Sequence, residues 1–215
     1  MSGSSWERAT PVALMSLSAT GVARSHDRRF FLLGGLAAGL LPLSALAAEE
    51  LKIGAARGTI DFAIGDSRIF RTTGSFKDWQ GALDVDDVDV SRSKVAVKIR
   101  TASIDMLDAQ QTAMLKDTEF FDVAKFPEMT YVSQSVVRTG ESTLKVEGDV
   151  TLRGITRPMA LDVSVTDRKA DAPAGARYAR FRATGTLKRS EFGMVKFVDV
   201  VGDAVDISIR TDAWR

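Results

Sequence analysis

Cysteine is absent from the 215-residue chain, and its one histidine is His26. Without a thiol or a second imidazole there is no Cys-His dyad, no Ser-His-Asp triad, no usual pair of haem ligands and no common zinc site. Asp, Glu, Lys and Tyr remain, so catalysis is narrowed without being removed. The missing cysteines do not argue against an oxidising compartment; they mean only that no disulfide supports the fold. Charge of one sign is scarce too, with 29 Lys and Arg against 28 Asp and Glu, a formal net charge of +1.

Even that excess belongs to the N-terminus. Residues 26–49 read HDRRFFLLGGLAAGLLPLSALAAE. Two arginines precede an apolar Gly/Ala-rich run, and Ala45-Leu46-Ala47 forms a small-x-small cleavage site, the makings of an export signal cut near Ala47. Arg28 and Arg29 followed by Phe30, Phe31 and Leu32 resemble a twin-arginine leader, although Asp27 precedes the pair and Leu33 stands where such leaders often carry Lys. The general secretory route is the alternative. A retained anchor would need about 20 apolar residues, which the run from Phe30 to Ala48 reaches only by counting Gly, Pro and Ser. Met15 is an alternative start. Residues 1–47 hold four basic residues (Arg8, Arg24, Arg28, Arg29) and two acidic ones (Glu7, Asp27), leaving 25 and 26 in the remainder and a net charge of −1. That balance gives no footing for nucleic acid as a partner. The expected product is a periplasmic protein of residues 48–215, large enough for one domain with its own core.

From residue 58 onward the apolar period is two. In GTIDFAI, Ile60, Phe62 and Ile64 share a face; in SKVAVKIRT, Val95, Val97 and Ile99 oppose Lys94, Lys98 and Arg100. Between them, Gly74 and Gly81 are candidate bend or bulge positions. MTYVSQSVV follows Pro127, which suits a strand entrance. TLKVEGDVTLRG, PMALDVSVT, RYARFRATGTLKR and AVDISIRTDAW each alternate cleanly. The count is about eight strands with one apolar and one wet face apiece. Connections as short as 139–142 and 153–158 leave no room for crossover helices, so the expected fold is all-β: an eight-stranded antiparallel up-and-down barrel, with a two-sheet sandwich as the alternative. A barrel of that size is either filled by side chains or holds one slender ligand. Gly148, Ala179, Ala183 and Gly185 on apolar faces suit an open lumen and suit strand coiling equally well.

One stretch breaks the alternation. Residues 102–131 read ASIDMLDAQQTAMLKDTEFFDVAKFPEMTY, and Met106, Ala109/Gln110, Ala113/Met114 and Asp117 recur at helical spacing. A short helix near residues 106–117 is expected, leading through Phe120, Phe121 and the Pro127 turn into the next strand and closing one end of the barrel.

Six segments in order resemble the YceI-like family of exported polyisoprenoid-binding proteins with an extended lipocalin-like barrel. They are GTIDFAI; GSFKDWQGAL, similar to G-x-F-x-x-F-x-G; VAVKIRTASIDM; LKDTEFFDVAKFPEMTYVS; VEGDVTLRGITRPMALDV, similar to G-x-L-T-x-x-G-x-T-K/R-P; and LKRSEFGM, similar to N/D-R-S-D/E-F-G. The likeness covers about residues 51–214. It implies binding, sequestration or transport of an isoprenoid lipid, a polyprenyl phosphate or an isoprenoid quinone, held as ligand with no further cofactor. Carried onto this sequence, the channel would be lined by Phe62, Phe76, Trp79, Val97, Ile99, Phe120, Phe121, Phe126, Met129, Tyr131, Val146, Leu161, Phe181 and Phe192. Met114 and Arg57 stand where many relatives have His, so a head group would fall to Arg57, Met114, Lys116, Arg189 or a hydroxyl, or the binding would be led by the tail. Partners implied are the lipid and a transient contact with the inner membrane or a membrane protein, with a homodimer open.

The residues also admit blander readings. Asp117, Glu119 and Asp122 read as solvated or capping groups, with no second carboxylate set poised for acid/base work. Arg153 and Arg157 flank a hairpin turn in which Gly154 suits positive φ, with an anion site as the lesser reading. Ser190 lies outside any nucleophile elbow. A lipid-modifying enzyme and a stress-related envelope protein with a filled barrel are the competing function classes.

Overall fold

The computed structural model describes residues 49–65, 71–169, 171 and 173–215. The expected leader, its cleavage site and the alternative start lie outside the described residues. The elements are β1 (Glu49–Gly54), β2 (Gly58–Ile64), β3 (Thr72–Phe76), β4 (Trp79–Val85), β5 (Lys94–Arg100), β6 (Ile104–Met106), α1 (Ala109–Lys116), β7 (Glu128–Arg138), β8 (Thr143–Leu152), β9 (Ile155–Thr166), β10 (Arg177–Lys188), α2 (Val198–Val201) and β11 (Ala204–Trp214).

All pairings are antiparallel, in the order β1-β4-β5-β7-β8-β9-β10-β11, and Lys52 opposite Trp214 closes the ring. The closed barrel therefore has eight staves, as the alternation implies. β2, β3 and β6 continue three of them past a shared kink. β1 and β2 both run along β11, separated by a 3-10 turn at Ala55–Arg57; β3 and β4 are parted by Lys77 and Asp78, β5 and β6 by a second 3-10 turn at Thr101–Ser103. Backbone bonds tie the kinks together, from Lys77 N to the Ser103 carbonyl at 3.1 Å and from Arg100 N to the Asp78 carbonyl at 3.0 Å. Gly74 and Gly81, expected at bends, lie inside β3 and β4 instead. At Gly74 a Cβ would come within 2.4 Å of the Phe62 ring, so the glycine admits that ring over the strand.

The helix is shorter than its sequence period suggests. Met106 ends β6, paired with Gly74, and α1 begins only after Asp108, whose carboxylate accepts from Gln111 N at 2.8 Å as an N-cap. Between β8 and β9 the turn has Arg153 at φ 52° and Gly154 at φ 72°, the two left-handed residues of a tight hairpin. Three segments gather at this end of the barrel, hereafter the helix end: 107–127 with α1, the 153–154 turn, and 189–203 with α2. Connections 86–93, 139–142 and 167–176 make up the opposite end.

Candidate lipid-binding cavity

Alternation sends every second side chain of eight staves to one axis. There the structure encloses a cavity of about 780 Å³ that reaches both ends of the barrel, within the usual range of small-molecule sites, about 300–1,000 Å³. Its wall is hydrocarbon and aromatic for most of its length. Phe76 meets Phe121 edge-on at 5.7 Å between centroids, a geometry favoured by ring quadrupoles, and lies tilted against Phe62 at 5.6 Å.

Of the side chains singled out from sequence, Phe62, Phe76, Trp79, Val97, Ile99, Phe120, Phe121, Met129, Tyr131, Val146, Leu161 and Phe181 line this cavity. Phe126 and Phe192 do not. Phe126 lies under the hairpin turn, its ring 3.3 Å from where a Gly154 Cβ would stand and beneath the Lys125 and Arg153 cations. Phe192 is wholly buried in the same apolar cluster as Met194, which lines the cavity where Phe192 does not.

The small residues divide. Ala183 lines the cavity, whereas Gly148 and Gly185 do not open it. A Cβ on Gly148 would stand 2.7 Å from Tyr131 Cζ, and one on Gly185 would stand 2.8 Å from Leu161 Cδ2. Each glycine is the bed on which a neighbouring side chain lies. Tyr131 consequently sits deep in the wall, and its hydroxyl donates to the Val146 carbonyl at 3.2 Å. Burial, with Asp149 and Glu147 adding, pushes its pKa up to about 12. Its proton is already engaged, so Tyr131 is not a free donor for a ligand oxygen.

Of the expected head-group residues, Met114 and Arg189 line the helix end of the cavity and Arg57 and Lys116 do not. Arg57 is exposed on the outer wall, bonded to the Gly175 carbonyl at 3.0 Å and stacked on Trp214. Arg189 is buried, with Nε donating to the Gly202 carbonyl at 2.9 Å and Nη1 to the Lys196 carbonyl at 2.6 Å. Burial lowers its pKa, partly offset by Asp203. Its fork holds the 194–202 segment in place. Arg153 does similar work for the neighbouring segment, donating to the carbonyls of Thr118 and Phe120.

The opposite end is polar, which the sequence does not announce. Asp84, Asp86, Asp87, Lys94, Arg138, Glu141 and Arg168 contribute to the lining there. Buried Tyr178 donates to Asp87 at 2.8 Å and accepts from Arg168 Nε at 3.1 Å, while Arg168 Nη2 pairs with the same carboxylate. Asp87 follows β4 and Arg168 follows β9, so this strap crosses between opposed sides of the ring. Burial first, and then the Asp87 hydrogen bond, raises the Tyr178 pKa. Among the described residues no group of three or more His, Cys, Asp or Glu side chains is placed to hold a metal ion.

Comparison with known proteins agrees with this architecture. The YceI-like domain pattern matches residues 51–213. A UPF0312 protein of Pseudomonas syringae pv. syringae (strain B728a) is 36% identical over 135 residues, 63% of this chain and 70% of that one. Protein YceI of Salmonella newport (strain SL254) is 34% identical over 139 residues, 65% and 72% of the two chains. Among solved structures, Burkholderia cenocepacia BcnA superposes with TM-score 0.64 at 23% identity, covering 75% of this chain and 98% of that one. A polyisoprenoid binding domain from Saccharophagus degradans does so with TM-score 0.58 at 12% identity, covering 78% and 98%. At those identities the structures share a fold; the domain match, spanning most of the barrel from β1 to β11, adds descent, and the chain belongs to the YceI-like family.

Proposed function

We propose that this protein binds and carries one isoprenoid lipid, a polyprenyl phosphate or an isoprenoid quinone, in the periplasm after removal of residues 1–47. The observation that carries the reading is the 780 Å³ cavity, apolar along most of its length and continuous between the barrel ends. A branched hydrocarbon tail laid against Phe62, Val97, Phe121, Met129 and Phe181 gains roughly 25 cal/mol for each Å² of apolar surface removed from water, before ordering costs. Hydrocarbon and aromatic walls suffice for affinity, and a small number of polar groups near a mouth set the choice of head. The structural kinship to a polyisoprenoid binding domain supports the same class of ligand. The lipid is cargo and not cofactor, and the function is binding, not catalysis.

Native mass spectrometry of protein purified from its own envelope, followed by lipid extraction, tests this. One prenyl lipid per chain is the expected result. Empty protein that also refuses added polyprenyl phosphate and added isoprenoid quinone would overturn the reading.

A further inference from the structure

We propose that the helix end of the barrel docks on a lipid bilayer. The purpose of the contact, loading the cavity, rests on the lipid-binding reading above; the geometry of the contact does not. Among the described residues eight large apolar side chains are exposed, and five of them, Leu107, Met114, Val195, Phe197 and Val200, project from segments at this one end. Val88 is at the opposite end, and Val132 and Val137 are on the wall. Met114 and Phe197 face both ways, since each is exposed and each lines the cavity. The apolar surface of the lumen therefore continues onto the rim.

Local structure works to keep this rim outward. Phe197 is held at φ 60°, a left-handed conformation that bulky residues disfavour. Its ring lies 6.4 Å from that of Phe120, and Arg189 pins the segment around it through the Lys196 and Gly202 carbonyls. Exposed apolar groups presented at such cost mark a contact surface.

The chemistry of the rim selects the occupant. Several charged groups woven through it are engaged within the protein, Lys196 with Glu119 at 2.9 Å, Arg153 with two carbonyls, Asp108 with the first turn of α1 and Asp203 with Ser190 at 2.7 Å, while Glu191 and Asp199 stay exposed beside them. A specific protein partner reads polar groups and a packed apolar centre. Here separate side chains project around a mouth, and a fluid hydrocarbon accepts them without complementary shape. A tail entering from a bilayer in this way reaches the lumen without crossing water, while the far end stays strapped by Asp87, Arg168 and Tyr178.

Because the chain has no cysteine, single labels report this directly. Nitroxides are placed by Leu107→Cys and Val200→Cys on the rim and by Val88→Cys and Val137→Cys elsewhere, in protein purified from the envelope as the cell leaves it. Accessibility to oxygen and to a water-soluble relaxant is then read with and without phosphatidylcholine/phosphatidylglycerol vesicles. The rim labels should move into the oxygen-rich, water-poor layer while the other two stay aqueous. Leu107→Glu with Val200→Glu, neither of which lines the cavity, should lower the vesicle-bound fraction roughly tenfold or more and leave uptake of prenyl lipid from detergent unchanged. Aqueous rim labels, or full vesicle binding by the double variant, would overturn the proposal. Rim labels shielded by raised protein concentration without vesicles would assign the rim to a second copy and overturn it too. Immersed rim labels on a protein that takes up no prenyl lipid support docking and sink the cargo reading; lipid uptake with aqueous rim labels does the reverse.

Discussion

At one end of the barrel Leu107, Phe197 and Val200 stand in solvent; at the other, Asp87, Arg168 and Tyr178 tie opposed connections to each other. Both ends cap the same apolar lumen, and both are built from connections between the same staves. The helix end uses its polar groups inwardly: Arg189 and Arg153 donate to main-chain carbonyls, so that apolar side chains are left to face out. The strapped end uses charged side chains on one another across the mouth. Polar groups that hold backbone fix a surface, whereas polar groups that hold each other fix an opening, and this difference predicts how each end fails.

The largest effect is expected at the helix end. Arg189→Ala leaves the Gly202 and Lys196 carbonyls without their charged donor in a buried place, which costs about 3 kcal/mol. Urea unfolding reads that loss, and hydrogen exchange should accelerate over 194–202 ahead of the strapped end. Arg189→Lys should recover only part of it, because a single ammonium nitrogen cannot take the two separate positions from which Nε and Nη1 reach the Gly202 and Lys196 carbonyls.

A second effect, somewhat smaller, concerns the wall between the ends. The chain has two tyrosines, and these are Tyr131 in mid-cavity and Tyr178 in the strap. A tyrosine in the unfolded chain loses its proton near pH 10, while Tyr131 holds it to about 12. Between those values the unfolded state is the more deprotonated, so stability falls as pH rises; below pH 10 the contribution is fully present and flat. The ceiling is about 2 to 3 kcal/mol by pH 12. Tyrosinate absorbance on alkaline titration should show both residues ionising late. Tyr131→Phe should remove its share of the alkaline loss and leave that of Tyr178, whose pKa is also raised. Ionisation of Tyr131 near pH 10 in folded protein would mean that the middle of the lumen is open to water.

How much of this could be read beforehand follows the same division. Along the staves, side-chain period two is a local signal, so eight strands, a closed barrel and most of the lining were legible; Ile207, Ile209, Met159 and Val163 also line the cavity and sit on faces the alternation marks. In the connections no such period operates. Phe120, Phe126 and Phe192 look alike in sequence, yet one lines the lumen, one lies beneath a hairpin and one is wholly buried without lining it. The kinks fall at Ala55–Arg57, Lys77 and Asp78, and Thr101–Ser103, none of which holds a glycine or proline to mark them. The strap joins residues 91 apart in sequence, and only ring closure brings them together.

The smallest effect tests the strap itself. Tyr178→Phe deletes a hydroxyl shared by Asp87 and Arg168 but leaves those two paired, so the loss should be about 1 kcal/mol. Arg168 has its pKa raised chiefly by the Asp87 hydrogen bond, and the Tyr178 contribution ranks below that and burial, which is why the charge pair should survive. Hydrogen exchange should quicken over 86–93 and 167–169 with 194–202 unchanged, the mirror image of Arg189→Ala. Equal acceleration at both ends would mean that the wall couples them, and the separation between an outward apolar rim and a cross-tied mouth would not hold.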